Sequence, residues 1–475
     1  MTIVLMFVVA VCCAQSSTDP ACTVLGPKPS FIVKLRSSPP LLLAREQLAS
    51  GDLHRLAAPG LIFTQAKRMF QGYYVVHVKA EKQSQFLLQA NASGFGCYSK
   101  QSLSRMVAKI KQSPLVAEVT PNFLSTTMVG PQSHMPAQWN LQGPPGGIDA
   151  ENTWIDFTSG HANTTIAVLD TGIMNHEALN PNILPGVHFT DAGSTGMSAT
   201  PSCIACAGYH HGTMVAGIIA STGALAYGET LWGVAPHTSI LPINVFTKFT
   251  DEPTCGMPPC LYSYLSDQIN ALEWLAGIDF PDLNPPPASI VGINMSLGNV
   301  RSCPDVAQRA LNQTQKRGLV TMVAAGNRSI DAARDYPANC DGVISVAATG
   351  FYGERASYSN WGKSVTIAAP GGNGSYSVYA TIDNAYAHRQ ATSFAVAHVS
   401  GVVALLYAID PTLRAEQVKQ IITAPDTITP FPSADMLPEG AVSCMDDEAL
   451  EKYCGAGIIN AYKAAQKVYT RLHDK

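Results

Sequence analysis

The chain has 475 residues, of which 46% are hydrophobic and only 13% are charged, and its formal net charge is −4. This length suggests two or three domains, and the low charged fraction favours a large buried core over intrinsic disorder. Since no long basic run is present, the composition argues against a nucleic-acid partner.

The first fourteen residues are predicted to be an export signal. An apolar stretch from Ile3 to Val11 is followed by small residues that end at Ala14. This is the pattern of a secretory peptide, although no Lys or Arg precedes the stretch. A buried first strand is the alternative interpretation. The signal predicts a secreted protein, extracellular or periplasmic, and no further stretch is expected to form a stable membrane span.

Ten of the twelve cysteines follow the predicted signal. An even number of cysteines behind an export signal predicts disulfides. The short separations favour Cys255–Cys260 and Cys444–Cys454 as pairs, and Cys303–Cys340 is a further candidate that spacing alone does not fix. Zinc binding by Cys203 and Cys206 is the weaker interpretation, because no second close pair with metal spacing accompanies them.

A small strand-and-helix module is predicted after the signal. Alternating apolar residues predict strands at Phe31–Leu35, Gly72–Val78 and Val116–Thr120, and a helical spacing predicts a helix over Ser102–Gln112. The module contains no cluster of catalytic residue types. The loop-rich stretch between residues 121 and 147 is the predicted domain boundary.

Beyond this boundary, short apolar strands alternate with helices. The predicted strands are Thr165–Leu169, Thr238–Phe246, Ser289–Ser296, Leu319–Ala324, Gly342–Ala348 and Lys363–Ala369, and the predicted helices are His211–Ala220, Ser263–Leu275, Asp305–Arg317 and Ala391–Leu406. This alternation predicts an α/β fold with a parallel sheet flanked by helices on both faces. The last of these helices is apolar nearly all round, so we expect it to be buried on every side.

Four polar residues stand at the ends of these predicted elements. Asp170 and Asn327 follow strands, whereas His211 and Ser393 stand at or near the starts of helices. Catalytic groups of such sheets collect beyond the carboxyl ends of the strands. The set suits acyl transfer, in which a serine attacks a carbonyl, an imidazole takes its proton, a carboxylate orients the imidazole and an amide stabilises the oxyanion. A helix cap at Ser393 and a turn at Asp170 are the simpler alternatives.

Four motifs in one order carry a resemblance to the subtilisin-like serine proteases. They are Asp170-Thr-Gly, His211-Gly-Thr-x-Val-Ala-Gly, Ala325-Gly-Asn327 and Thr392-Ser-x-Ala-x-x-His-Val-Ser-Gly401. The order Asp, His, Ser is that of subtilisin itself, and the resemblance covers roughly residues 138–466. It implies that Asp170, His211 and Ser393 form a catalytic triad, with Asn327 and the Ser393 N–H as oxyanion donors. It also selects His211 over its neighbour His210, because Gly-Thr follows the base in the motif.

The resemblance also implies a primary specificity pocket. Its two backbone walls are expected at Ser296, Leu297 and Gly298 and at Ala324, Ala325 and Gly326. Asp335 precedes Tyr336-Pro337, where the family places the pocket floor, so a preference for Lys or Arg before the cut bond is expected. An exposed loop acid is the alternative interpretation of Asp335. No Lys or Arg lies between Thr120 and Trp139, where the chain should be processed, and this opposes the cationic preference.

Residues 22–128 resemble the family's inhibitory propeptide, a small α+β domain, and residues 134–472 its catalytic domain. The resemblance implies a monomeric zymogen whose own propeptide is an intramolecular inhibitor, and whose substrates are polypeptides. No cofactor is required for the chemistry. Structural calcium is common in the family, but no ligand set can be named from the sequence.

Two other functions remain open. A peptide-binding pseudo-protease would lack a member of the triad, and none is missing here. An α/β-hydrolase esterase needs Gly-x-Ser-x-Gly, and the nearest match, Asn294-Met-Ser-Leu-Gly298, lacks the first glycine. The sequence therefore favours a secreted serine endopeptidase.

Overall fold

The computed structural model describes residues 22–24, 30–35, 61–68, 73–80, 97–127, 138–250, 259–444 and 453–473, apart from single positions at 192, 202, 205, 207, 225, 227, 228 and 384. The predicted signal over residues 1–14 lies outside these ranges. Cys255 and the last residue of the predicted propeptide, Met128, also lie outside them.

The N-terminal module is an antiparallel sheet with one helix. Its strands are β2 (Ser30–Leu35), β3 (Leu61–Arg68), β4 (Tyr73–Ala80) and β6 (Val116–Pro121), its helix is α1 (Lys100–Ile110), and β1 (Cys22–Val24) pairs with β5 (Cys97–Ser99). The sheet order is β3-β4-β2-β6. Phe31 and Tyr74 from the sheet and Met106 from the helix are fully buried and belong to one hydrophobic core. Ile32 and Val75, which point to the other face of the sheet, are buried as well, so both faces of the sheet are covered.

Ten strands form the central sheet. They are β8 (Thr165–Asp170), β9 (Val187–Thr190), β10 (Ser194–Gly196), β11 (Ser239–Asn244), β14 (Ile290–Met295), β16 (Val320–Ala324), β18 (Ile344–Thr349), β19 (Ile367–Pro370), β22 (Ile428–Thr429) and β23 (Ile458–Ile459). Their order is β10-β9-β11-β8-β14-β16-β18-β19-β23-β22. Only the outermost pairs are antiparallel, so the predicted parallel sheet is confirmed.

Helices cover both faces of this sheet. On one face lie α3 (His211–Ala220), α6 (Thr392–Ile409), α7 (Ala415–Thr423) and α8 (Ala461–His473), with α2 (Ala150–Asp156) against α8, and on the other lie α4 (Leu265–Leu275) and α5 (Asp305–Lys316). This confirms the predicted α/β class. The central strands are nearly continuous apolar runs, so both faces of the sheet have to be covered, and the helices cover them.

Helix α6 is the core helix that the sequence predicts. Its residues from Thr392 to Tyr407 are all buried. By length and composition α6 alone among the described helices could cross a membrane, but 89% of it is buried within the protein. Gly401 permits close packing here, because a Cβ at that position would lie 2.4 Å from the side chain of Val234.

A third sheet joins the N-terminal module to the larger domain. Its strands, in order, are β12 (Thr247–Phe249), β13 (Cys260–Tyr264), β7 (Leu124–Thr127), β15 (Leu297–Val300) and β17 (Asp335–Tyr336). β7 pairs antiparallel on both sides, with Ser125 opposite Ser263 and Thr126 opposite Gly298. A segment of the predicted propeptide therefore fills the groove between two strands of the larger domain.

Side chains from just before β7 also contact the larger domain. Asn122 Oδ1 accepts the N–H of Ser266 at 2.8 Å and so caps the first turn of α4. The fully buried ring of Phe123 lies 4.0 Å from the Arg301 guanidinium and 5.4 Å from the Tyr336 ring. These contacts hold the end of the N-terminal module against the groove.

Three disulfides have both partners described: Cys203–Cys206, Cys303–Cys340 and Cys444–Cys454. The last two agree with the predicted pairs. The first agrees with the general prediction of disulfides and excludes the weaker zinc interpretation, because sulfurs bonded to each other are not thiolate ligands. Cys260 is disulfide-bonded as well, but the predicted pairing with Cys255 lies outside the described residues.

Candidate active site

Strand β8 ends at Asp170 and helix α3 begins at His211, and their side chains meet. His211 Nδ1 lies 2.8 Å and 2.9 Å from the two carboxylate oxygens of Asp170, and both side chains are fully buried. Thr171 donates its N–H to Asp170 Oδ1 at 2.7 Å, which fixes the carboxylate. Because a carboxylate only accepts hydrogen bonds, Nδ1 carries the proton and Nε2 is left as the basic nitrogen.

The glycines of the two motifs allow this contact. A Cβ at Gly212 would lie 2.3 Å from the Gly172 carbonyl oxygen, closer than any side chain tolerates. The Gly212 N–H donates to Thr171 Oγ1 at 3.0 Å. His210 instead packs its ring against Tyr209, with centroids 4.6 Å apart. The structure therefore places His211, and not His210, against the carboxylate.

Ser393 lies in the first turn of α6, fully buried. Its hydroxyl donates to the Ser296 carbonyl oxygen at 3.4 Å, and the ring of the next residue, Phe394, stacks near the His211 ring with centroids 6.4 Å apart. Within the described part of the chain, His211 Nε2 makes no hydrogen bond. The predicted carboxylate–imidazole contact is thus present, whereas the predicted imidazole–hydroxyl hydrogen bond is not. Catalytic hydrogen bonds of this kind often tighten only when substrate is bound.

Asn327 is oriented by the residue before the serine. Its Oδ1 accepts both the N–H of Thr392 at 2.9 Å and the Thr392 hydroxyl at 2.7 Å. Since a backbone N–H can only donate, the amide orientation is fixed and Nδ2 points away from Thr392 as the remaining donor. The side-chain contact also ties Asn327 to the start of the helix that carries Ser393.

One predicted wall of the specificity pocket is bonded directly to the serine segment. Ser296 donates its hydroxyl to the Ser393 carbonyl oxygen at 3.1 Å, and Asn294 Nδ2 donates to the Ser296 hydroxyl at 2.9 Å. Ser400, two turns along α6, donates to Asn294 Oδ1 at 3.0 Å. This buried chain of hydrogen bonds holds the end of β14 against the helix.

Leu297 and Gly298 extend this wall and pair with β7. The opposite wall, from Ala324 to Gly326, starts at the last residue of β16, and the Gly326 N–H donates to Thr392 Oγ1 at 3.3 Å. The predicted wall residues therefore lie beside the serine and the groove. Ala325 itself is fully buried and contributes its backbone.

Asp335 is buried next to the second wall, as the resemblance implies and unlike an exposed loop acid. Its Oδ2 accepts hydrogen bonds from Arg328 Nη1 at 2.7 Å and from Asn360 Nδ2 at 2.9 Å. The carboxylate thus already has a cationic partner. Cleavage after Lys or Arg stays a prediction. A substrate cation would have to compete with Arg328 for the Asp335 carboxylate.

Four residues that shape this site were not predicted from the sequence: Thr392, Asn294, Asn360 and Arg328. Thr392 directly precedes Ser393 and Arg328 directly follows Asn327, so their positions in the sequence could have indicated a place at the site. Asn294 and Asn360 act through bonds to distant segments, which spacing does not reveal. Among the described residues there is no group of three or more His, Cys, Asp or Glu that could hold a metal ion.

An α/β fold with a buried Asp–His pair, beside a helix that carries a serine in its first turn, defines the subtilisin type of serine peptidase. The model of the Subtilase family matches residues 161–435 of the chain. The protein therefore belongs to the subtilase family.

Relatives and solved structures agree with this assignment. The chain is 32% identical over 368 residues to an extracellular protease of Xanthomonas campestris and 31% identical over 364 residues to an extracellular basic protease of Dichelobacter nodosus. These matches cover 71% and 70% of the chain but only 57% and 55% of the two relatives, so the chain spans little more than half their length.

A protease structure from Pseudoalteromonas arctica superposes with a TM-score of 0.56 at 28% identity, covering 70% of this chain and 97% of that one. The epidermin leader peptide processing serine protease of Staphylococcus aureus gives a TM-score of 0.61 at 18% identity, covering 92% of this chain and 99% of that one. The second similarity shows the fold alone.

Proposed function

We propose that this protein is a secreted serine endopeptidase, made as an inhibited zymogen, that hydrolyses polypeptides through Ser393, His211 and Asp170. The observation that carries the proposal is the buried Asp170–His211 contact beside the first turn of α6. Two disulfides predicted for an exported protein, and relatives named as extracellular proteases, support secretion.

The residues divide the chemistry as follows. Ser393 Oγ attacks the substrate carbonyl carbon while His211 Nε2 accepts its proton, and Asp170 stabilises the imidazolium. Asn327 Nδ2 and the Ser393 N–H receive the negative charge on the carbonyl oxygen. Collapse of the tetrahedral intermediate breaks the C–N bond, with the leaving amine taking the proton from His211. Water then hydrolyses the acyl-enzyme by the same steps, which regenerates the Ser393 hydroxyl.

The groove between β13 and β15 supports a polypeptide substrate. β7 already pairs with both strands, so an extended peptide of any sequence could form the same main-chain bonds. Peptide binding in this mode leaves selectivity to side-chain pockets. Purified processed protein should therefore cleave casein; ester turnover without peptide turnover would favour the esterase, and neither activity would favour the pseudo-protease.

The N-terminal module is proposed to be the intramolecular inhibitor. β7 occupies the groove that a substrate would need, and the buried Phe123 and Asn122 contacts hold it there. Glu118 adds an ion pair with Arg309 of α5 at 2.5 Å and accepts the Tyr73 hydroxyl at 3.0 Å. Release of the module would open the groove.

Acid should weaken this inhibition. Burial alone raises the pKa of Glu118, but the Tyr73 hydrogen bond and the charges of Arg309 and Lys34 outweigh it and lower that pKa below its ordinary 4.5. Tyr73 and Lys34 belong to the module and stay beside Glu118 on release, so only the Arg309 contact depends on docking. Since release would raise the pKa of Glu118, the Arg309 contact favours docking while Glu118 is ionised, and this contribution is lost as pH falls through the lowered pKa.

Glu118→Gln is expected to reduce co-elution of the processed module with the catalytic domain in gel filtration at pH 7, and to flatten the loss of co-elution on acidification. Glu416→Gln, at an exposed position of α7, is the matched control and should behave like the unaltered protein. Identical pH profiles for Glu118→Gln and the control would remove Glu118 from the docking interface.

The strand register predicts the processing point. Thr127 lies opposite Leu297, one position from Ser296, whose carbonyl oxygen is 3.4 Å from the Ser393 hydroxyl. Counting one residue further along the sequence, we expect the bond after Met128 to be cut, so that the mature chain begins at Val129. Intact-mass and N-terminal peptide analysis of the processed protein checks this, and a mature N-terminus before residue 127 would contradict it.

A further inference from the structure

Arg328 and Asp335 form an ion pair beside the primary specificity pocket. Arg328 Nη1 lies 2.7 Å from Asp335 Oδ2, and only 14% of the Arg328 side chain and 2% of the Asp335 side chain are exposed. Asn360 Nδ2 donates to the same oxygen at 2.9 Å. The carboxylate is therefore satisfied by a cation and an amide of the protein itself.

The pair touches both walls of the pocket. A Cβ at Gly326 would lie 2.5 Å from Asp335 Oδ2 and 2.2 Å from Asn360 Nδ2, so the backbone of this wall rests on the carboxylate. On the other side, Asp335 pairs with Val300 of β15, the strand that continues the first wall. A side chain that enters between the walls therefore approaches Asp335 together with its partner.

The polar network fixes this arrangement. Asn360 Oδ1 accepts the N–H groups of Arg328 and Ile330 at 3.0 Å and 3.1 Å, and its Nδ2 also donates to the Ala325 carbonyl oxygen at 2.8 Å. Burial raises the pKa of Asp335 above its ordinary value, and the charge of Arg328 and the hydrogen bonds from Asn360 and Arg328 offset only part of this rise. Removing Arg328 would leave a buried carboxylate without its cation, which is costly.

The ion pair of Arg328 with Asp335 at the floor of the pocket changes which substrate side chains the pocket accepts. A substrate Lys or Arg would have to displace Arg328 or lie next to a like charge, and a substrate Asp or Glu would meet the Asp335 carboxylate in the same way. An uncharged side chain requires neither rearrangement. The ion pair therefore discriminates against both signs of charge.

We propose that Arg328 is a specificity-determining residue that neutralises Asp335, so that the enzyme cleaves after uncharged residues. This inference rests on the proposed peptidase function and replaces the expected preference for Lys or Arg. The chain's own sequence supports it. Between Thr120 and Trp139, the stretch that contains β7 and the predicted processing point, no Asp, Glu, Lys or Arg occurs.

The test measures kcat/KM for three peptides that differ only in Leu, Lys or Glu before the cut bond. Arg328→Gln exposes the acid and should raise the Lys-to-Leu ratio about tenfold or more, whereas Asp335→Asn exposes the guanidinium and should raise the Glu-to-Leu ratio similarly. The double variant should return both ratios to within about threefold of the unaltered protein. Ratios within one variant cancel any change in its overall activity.

Arg334→Ala is the matched control, because it removes an exposed neighbouring cation and should leave both ratios unchanged. The unaltered protein gives a measurement that needs no variant: it should prefer Leu over Lys and Glu. A preference for Lys in the unaltered protein, or unchanged ratios in both folded single variants, would overturn the inference. Absence of hydrolysis of every peptide by the unaltered, processed protein would instead refute the proposed function.

Discussion

Ser393→Ala is expected to abolish peptide hydrolysis almost completely. The proposed mechanism forms its acyl-enzyme only on the Ser393 hydroxyl, so no covalent route remains once that oxygen is removed. In subtilisin, a member of this family, loss of the nucleophilic serine lowers kcat by about 10⁶-fold. Casein cleavage by the purified variant checks the loss. Ser302→Ala, at an exposed loop position, is the control and should retain activity.

The same variant tests whether maturation is self-catalysed. If Ser393 cuts its own chain, the purified Ser393→Ala protein should keep the N-terminal module covalently attached, with β7 still in the groove. Intact mass distinguishes the long form from the short one. Appearance of the short form in purified mutant protein would refute self-processing, although hydrolysis of other substrates by the unaltered enzyme would remain possible.

Asp170→Asn is expected to produce the second largest loss, about 10⁴-fold in kcat, the size seen for this exchange in Ser–His–Asp enzymes. Both carboxylate oxygens of Asp170 lie within 2.9 Å of His211 Nδ1. An amide NH₂ in that place would donate to Nδ1 and force the ring proton onto Nε2, where the base must accept a proton. The replacement changes one atom, so the fold should persist.

Steady-state kinetics and thermal unfolding together check this prediction. Asp282→Asn removes an exposed carboxylate and provides the control for the exchange itself. A loss of less than about tenfold by folded Asp170→Asn protein would show that Asp170 does not set the imidazole tautomer. If kcat fell only because the variant unfolds, its melting temperature would be lowered as well, whereas a loss of the catalytic role alone leaves the melting temperature unchanged.

The sequence predicted the elements that carry strong apolar patterns. Helix α3 occupies His211–Ala220 as predicted, and β8, β14 and β16 lie within one or two residues of their predicted bounds. These segments are buried on every side, so their sequences are nearly continuous apolar runs. The positions of Asp170, His211 and Asn327 relative to strand and helix ends followed from the same patterns.

Elements with mixed or edge character were not predicted. The second half of β3, Gln65-Ala-Lys-Arg68, is mostly polar in sequence, and the hairpin of β20 (Val378–Ile382) and β21 (Ala385–Arg389) is a separate two-stranded sheet that mixes buried and partly buried residues. α8, at the end of the described chain, buries a single stripe against α2 and α6. Their patterns reflect tertiary neighbours that the local sequence does not specify.

In the site, too, some features could be predicted from the sequence and others depend on tertiary contacts. The resemblance placed Asp335 next to the pocket, but its pairing with Arg328, seven positions earlier in the chain, depends on a side-chain geometry that the sequence does not determine. The sequence favoured disulfides over zinc for the cysteines behind the signal but did not pair Cys203 with Cys206, and only the fold shows that these two sulfurs are bonded. Position along the chain thus predicted which residues approach the site, and not how they bond.

The most direct test of the proposed nucleophile is mass spectrometry of the processed protein after reaction with a serine-directed phosphonate. We predict a single adduct, on the peptide that contains Ser393, with loss of casein cleavage in proportion to labelling and no adduct in the Ser393→Ala variant. An active enzyme that is labelled at another serine, or that keeps its activity without any adduct, would show that the hydroxyl beside the Asp170–His211 pair is not the nucleophile.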